Sequence, residues 1–354
     1  MRRLLLFAGA AGLALAGPIQ QPVYPGATWD RIADARTAGY SPAGLDSAKA
    51  FLGTIGTTGA VVVVGGRILF DYGNTSELSY LASARKSVLA MLYGKYVASG
   101  KVRLDKTLEQ LGIDDLGGLT PAEREATVSD LLSARSGVYH PASNPGDNLA
   151  QAPPRGSQPH GTYYLYSNWD FNAAGAIFEQ ETGRAIYDAL ETDLARPIGM
   201  EDFDRAAQQK SGDTTKSRYL AYHMWLSTRD MARLGLLMER GGAWNGRQVV
   251  PAEWVARLTT PVTRWNEINP SGSMGGRFGY SYLWWIFDGP TATGPFEGAY
   301  TAMGAVGQYI TVLPKLDMVV AHKTRAGGEA SVTRDEYLAF LDRLIAARCA
   351  GSCR

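Results

Sequence analysis

The chain has 354 residues, of which 45% are hydrophobic and 19% charged, and its net charge is +1. This is a globular rather than a disordered balance, long enough for one large or two medium domains with a sizeable core. Near-neutral charge with no block of like charges argues against a nucleic-acid surface or a polybasic membrane patch.

The N-terminus reads as an export signal. Met1-Arg2-Arg3 is a short positive segment, and Leu4 to Ala16 is an apolar run too short to span a bilayer comfortably. Ala14-Leu15-Ala16 fits a small-x-small cleavage pattern, so residues 1–16 are expected to be removed. The mature protein is then expected to be periplasmic or secreted, without stable membrane insertion. An uncleaved anchor is the competing reading. Cys349 and Cys353 are the only cysteines and lie at the C-terminal tip. They can close a small disulfide in an oxidising compartment or stay as free thiols; without a neighbouring histidine they make a poor zinc site.

Ser41-Pro42 opens a capped helix running to Leu52. Gly59 to Val64 reads as a buried strand, Gly65-Gly66 as a tight turn and Arg67 to Tyr72 as the returning strand. Val88, Leu89, Leu92, Tyr96 and Val97 then follow helical spacing, with Gly100 as the stop. Short helices are expected at Thr120-Pro121 and at Ser129 to Leu132. Longer ones are expected over 169–182, 186–196, 228–240 and 251–258. A long loop rich in Pro, Gly and Asn spans 141–162, the length of a functional wall or lid. Strands return over 279–287, 299–304, 308–313 and 318–322, and a last helix covers 333–347. The pattern predicts α/β plus all-α architecture. One sheet is built from the N- and C-terminal segments (40–110 and 270–348), with a mainly helical insertion (111–269).

Ser83 and Lys86 are the most informative pair, because no other lysine has a serine three residues before it. On a helix this spacing places hydroxyl and amine on one face. A serine becomes a nucleophile when a base stands beside it, and an unprotonated lysine can serve. The positive potential of a helix N-terminus, and burial, both disfavour the ammonium form. The plain alternative is that Ser83 is an N-cap and Lys86 an ordinary helix lysine. Tyr166-Ser167-Asn168 follows the long loop; a tyrosine beside a neutral lysine can relay protons, and an asparagine can hold both a lysine and a substrate amide. Alone, the same stretch also reads as an aromatic core turn.

Taken in order, Ser-x-x-Lys, Tyr-Ser-Asn and a Gly-rich strand near the C-terminus resemble the serine β-lactamase and penicillin-binding-protein superfamily. The chain looks most like its class C-related branch of esterases, D-amino-peptidases and 6-aminohexanoate-oligomer hydrolases. Ser129 to Val138, Arg196 to Met200, Met231 to Gly235 and Tyr309 to Pro314 extend the resemblance over roughly residues 40 to 345. It implies a β-lactamase/transpeptidase-like fold: an antiparallel sheet flanked by helices, with a helical inserted domain. It also implies an acyl-Ser83 mechanism with Lys86 and Tyr166 as a coupled acid–base pair, and no cofactor. Asn168 is expected to touch lysine and substrate, and the oxyanion to sit between the N–H groups of Ser83 and of Gln308, on the strand edge after Gly307.

The third family motif departs from pattern. Where penicillin-recognising members carry Lys-Thr-Gly, the matching stretch here is Gly304-Ala305-Val306-Gly307-Gln308, with an uncharged alanine in place of lysine. Losing a charge-assisted contact costs about 1.5–3 kcal/mol. The expectation therefore tilts to a small-molecule ester or amide, or a peptide, with a neutral end. Lys323, Arg325 or a loop residue could substitute for the missing charge. A β-lactamase, a D-amino-acid-releasing peptidase and a non-catalytic penicillin- or wall-peptide-binding protein are the alternatives. A Ser-His-Asp hydrolase is disfavoured by the lack of Gly-x-Ser-x-Gly, and the scattered His140, His160, His223 and His322 show no metal spacing.

Overall fold

The computed structural model describes residues 22–325, 330–349, 351 and 353. The export signal expected over 1–16 lies outside the described residues. No helix among the described residues is long and apolar enough to cross a membrane. Cys349 and Cys353 are joined in a disulfide.

Ser41 caps the first helix, accepting a hydrogen bond from the Gly44 N–H, and Pro42 supplies a preset φ at its first position. This helix is α1 (Pro42–Leu52). The valine run makes β1 (Gly59–Val64), and positive φ at Gly65 and Gly66 turns the chain into β2 (Arg67–Gly73). The helix after Ser83 is α2 (Ala84–Ala98), and Gly100, at φ +71°, breaks it. Tyr166-Ser167-Asn168 opens α3 (Asn168–Thr182), capped by the Ser167 hydroxyl. Helix α4 (Thr228–Glu239) is capped by Ser227. The C-terminal part supplies β3 (Phe278–Tyr280), β4 (Trp285–Phe287), β5 (Tyr300–Gly304), β6 (Gln308–Leu313) and β7 (Met318–Lys323), then α5 (Arg334–Ala346).

These strands form one seven-stranded sheet in the order β2-β1-β7-β6-β5-β4-β3, antiparallel throughout. The N-terminal β1 lies against the C-terminal β7, with Gly59 opposite Lys323 and Val64 opposite Met318. Both strands are buried on both faces, which explains why they read as unbroken apolar runs. Helices α1 and α5 cover one face: Phe340 meets Phe70, and Tyr337 stacks on Tyr309. Helices α2 and α4 cover the other.

Two expectations change. The strand expected over 279–287 is a tight hairpin, β3 and β4, turned by Leu283 at φ +63°. An all-apolar run hides such a turn, because burial and not turn chemistry dictates every residue in it. Nor does 111–269 stand clear of the sheet, since α4 lies directly on it. A methyl on Gly235 would come within 2.3 Å of Val319 and 3.0 Å of Ile310. Glycine there lets helix and sheet close up.

Candidate active site

The nucleophile candidate sits where a strained turn becomes a helix. Ala82, the residue before Ser83, has φ +48°, a left-handed conformation uncommon for a non-glycine residue. Ser83 occupies the N-cap position of α2 but is itself helical, at φ −71° and ψ −15°, and its side chain makes no capping bond. The hydroxyl is therefore not spent on the helix, which is what the plain N-cap reading required.

Lys86 Nζ lies 3.0 Å from Ser83 Oγ, 2.7 Å from Tyr166 Oη and 2.6 Å from Asn168 Oδ1. The lysine is 1% exposed and lies among aromatic faces, its Nζ 4.3 Å from the centre of the Tyr166 ring and 4.5 Å from that of Phe171. Burial drives its pKa well below the usual lysine value; the neighbouring Arg85 charge adds to this and Asp147 opposes it. A neutral amine has two N–H groups and one lone pair. The Asn168 oxygen can only accept, so it takes one N–H and leaves the lone pair available to a hydroxyl. Tyr166 is pushed up to about 12, chiefly by burial, and stays a protonated phenol. Burial thus favours a neutral amine beside a protonated phenol, a pairing in which one can accept the serine proton and the other can pass a proton on.

The long loop forms the wall beside this triad. Asn148 donates its N–H to the Tyr166 carbonyl at 2.9 Å, and Asp147 accepts the Asn168 N–H at 3.1 Å. Farther along, Arg155 makes two 2.7 Å bonds to the buried Glu123 carboxylate. Anchored at both places, the segment is a fixed wall. Behind Tyr166, the Trp285 indole stacks at 5.7 Å between ring centres. The partner of its ring is not readable from strand alternation. The neighbouring aromatics Tyr164 and Trp169 are core residues, 1% and 0% exposed.

Three residues expected to contact substrate make other contacts. The Asn168 Nδ2 donates one hydrogen to the Pro145 carbonyl at 2.9 Å, so the amide ties the lysine to the loop. Gly307 faces away: a methyl there would meet Val332 and Thr324, and its carbonyl accepts from His322. Gln308 is 0% exposed, lies opposite Gly304 in the sheet, and sends its side-chain amide to the Thr324 carbonyl. The strand end that meets the nucleophile is Gly304. A methyl on it would lie 2.4 Å from the Leu81 carbonyl oxygen and 3.1 Å from the Ala84 nitrogen. Two glycines three residues apart flank this turn, and only the register tells which one faces Ser83.

The hoped-for replacement charges are also occupied. Lys323 donates to the Ser79 and Leu226 carbonyls, and Arg325 makes a two-pronged ion pair with Glu77.

A family model described as beta-lactamase matches residues 46–343. The chain belongs to the beta-lactamase family. Its fold is shared by a Bacillus anthracis protein assigned as a 6-aminohexanoate-dimer hydrolase. That structure is 22% identical, with a TM-score of 0.64 over 84% of this chain and 80% of that one. A penicillin-binding-protein homologue from Caulobacter crescentus matches at 16% identity and a TM-score of 0.62, over 90% of this chain and 98% of that one. The hydrolase EstCE1, which has promiscuous acyltransferase activity, matches at 15% and 0.62 over 88% and 99%. At these identities the likeness is one of fold. A curated relative, an uncharacterized protein of Alkalihalophilus pseudofirmus, is 27% identical over 111 residues, 30% of this chain and 31% of that protein. The family is one of serine hydrolases for the most part, acting on small molecules or peptides.

Proposed function

We propose that this beta-lactamase-family protein is an exported serine hydrolase that cleaves an ester or amide through an acyl-Ser83 intermediate. The observation that carries the reading is the 3.0 Å approach of Ser83 Oγ to a buried lysine amine that also touches the Tyr166 phenol. Lys86 takes the hydroxyl proton as Oγ bonds to the acyl carbon. The developing oxyanion is met by the Ser83 N–H and by the backbone at the end of β5, beside Gly304. The leaving oxygen or nitrogen departs with a proton returned through Lys86 and Tyr166. Water then attacks the acyl-enzyme by the same route in reverse, releasing the acid and restoring the hydroxyl.

The substrate end beside the strand is neutral. Ala305 offers no charge, and Lys323 and Arg325 are committed elsewhere. That favours esters or uncharged amides over β-lactams and peptide C-termini. The expected leader and the Cys349–Cys353 bridge suit a periplasmic or secreted location.

The test is to incubate the protein with a p-nitrophenyl ester, a chromogenic cephalosporin and a D-alanyl peptide, following turnover and adduct mass. Ester turnover that disappears in Ser83→Ala supports the proposal. Faster cephalosporin or peptide turnover would reassign the substrate, and a stoichiometric adduct without turnover would mark a binding protein. Undiminished ester turnover in Ser83→Ala would remove the mechanism altogether.

A further inference from the structure

Arg85, the residue before Lys86, is 1% exposed, yet its guanidinium meets no carboxylate among the described residues. Nη1 donates to the Ala82 carbonyl at 3.0 Å, while Nε and Nη2 have no hydrogen-bond partner among the described residues. The group lies over the Tyr222 ring, 5.3 Å from its centre. Arg233, the other arginine this deeply buried among the described residues, has an ion pair with Glu201 and a bond to the Ile198 carbonyl. An arginine keeps its charge at every working pH, and an unpaired buried charge is strongly unfavourable. Such a feature persists where something other than stability depends on it.

Two contacts say what depends on it. The carbonyl that Arg85 holds belongs to Ala82, the left-handed residue that aims Ser83, and the Arg85 backbone N–H points at the same oxygen from 3.4 Å. The next side chain along is Lys86, whose amine must stay unprotonated to act as base.

We propose that Arg85 is a positioning residue for acyl transfer: its guanidinium clamps the Ala82 carbonyl to fix the turn that presents Ser83, and its uncompensated charge repels a proton from Lys86. The proposal rests on the Ser83–Lys86 reading given above and adds a residue to it.

The groups that face this pair allow a clean test. Around Arg85 and Lys86 stand Tyr80, the loop residue Asp147, Tyr166 at the start of α3, Tyr187, Tyr222 and His223. Burial raises Tyr187 and Tyr222 beyond the working range and holds Tyr166 at about 12, so these phenols stay neutral. Burial lowers His223 to about 4, so it is neutral above that pH. Asp147 is the one carboxylate of the set and opposes Arg85 at Lys86. Asp170, also on α3, is turned to the Ser136 hydroxyl. Lys86 is thus the group of this set whose deprotonation a rise of kcat/KM with pH would follow, its pKa lowered by burial and by Arg85. The shift of that rise on substituting Arg85 separates it from groups farther off.

The experiment compares wild type, Arg85→Gln and Arg85→Lys in ester hydrolysis across pH, with near-ultraviolet dichroism confirming the fold. Arg85→Gln is expected to move the acid limb of kcat/KM to higher pH by about one unit and to lower the plateau about tenfold. Arg85→Lys keeps the charge but not the fork; its limb stays in place while its plateau falls. A folded Arg85→Gln protein whose limb coincides with that of wild type overturns the proposal. So does an Arg85→Lys protein with the wild-type plateau, which decides the matter if the glutamine variant does not fold. Wild-type acylation at Ser83 is checked first by adduct mass. Its absence would sink the underlying mechanism rather than the role of Arg85.

Discussion

The Tyr166 phenol ring lies against the Trp285 indole, with planes 21° apart and centres 5.7 Å apart. Trp285 comes from the sheet and Tyr166 from the end of the long loop, so the stack fixes the distance between two independently placed segments. Tyr280 closes the cluster, its ring edge-on to Trp285 at 4.7 Å. Removing the indole releases the phenol that touches Lys86. Trp285→Ala is expected to lower kcat for a small ester roughly three- to tenfold, in line with the energy of such stacks, while Trp285→Phe keeps most of it. Steady-state kinetics on folded variants measure this, and an unchanged kcat in the alanine variant would show that the stack does not position Tyr166.

The depressed lysine sets the pH profile. On the proposed mechanism the base is the neutral amine, so activity is expected to rise with pH through the lowered pKa of Lys86 and then to stay level until the Tyr166 phenol ionises near 12. Tyr166→Phe removes the proton relay but not the base. The plateau is expected to fall about 10²–10⁴-fold with the acid limb still present. A rate that declines as pH rises from acid to neutral would contradict the assignment of Lys86 as base.

Gly304→Ala tests the meeting of strand and nucleophile turn. Its new methyl would lie 2.4 Å from the Leu81 carbonyl oxygen, a distance that only movement of β5 or of the turn can relieve. The expected outcome is a loss of at least about tenfold in kcat/KM, as displaced oxyanion donors commonly cause. The change in unfolding temperature should be small by comparison, because one strand end is affected. Full activity in this variant would move the oxyanion site elsewhere.

Glu239 carries a pH dependence of stability separate from catalysis. Burial raises it from 4.5 to about 7, with Asp317 adding to the rise and Arg240 opposing it. The folded state therefore binds a proton more tightly than the unfolded chain does. The stability this lends is complete below about pH 4.5 and is lost as pH rises through about 7. Glu239→Gln keeps the shape and removes the titration. It should unfold at a higher temperature than wild type at pH 8 to about 9, and the gap should narrow towards acid pH. Thermal unfolding at three pH values checks this; an equal gap at every pH would contradict it.

Local spacing made much of the site legible. Ser83 and Lys86 stand one helical turn apart, and that distance is written in the sequence before any fold exists. The strand positions were legible where burial on both faces leaves an apolar signature, as in Val61 to Val63 and Met318 to Ala321. What failed was register. The sequence put Gly307 and Gln308 beside the nucleophile, whereas Gly304 is the residue that approaches the Leu81–Ala84 turn, because a turn between two glycines looks alike from either side. Pairing contacts were equally hidden: nothing about Trp285 announces Tyr166, and nothing about Asn168 shows that Pro145 takes its second hydrogen bond. The β3–β4 turn at Leu283 was invisible for the reason that buried turns usually are.

The union of β1 with β7 has a consequence for how the chain is made. β1 pairs early with β2 on one side, but the other edge of Val61 to Val63 finds its partner only when residues 319–321 have been synthesised. Through most of elongation the nascent polypeptide carries a naked, sticky edge of the kind that self-associates. Fragments that stop short of Met318 should therefore gather into insoluble material.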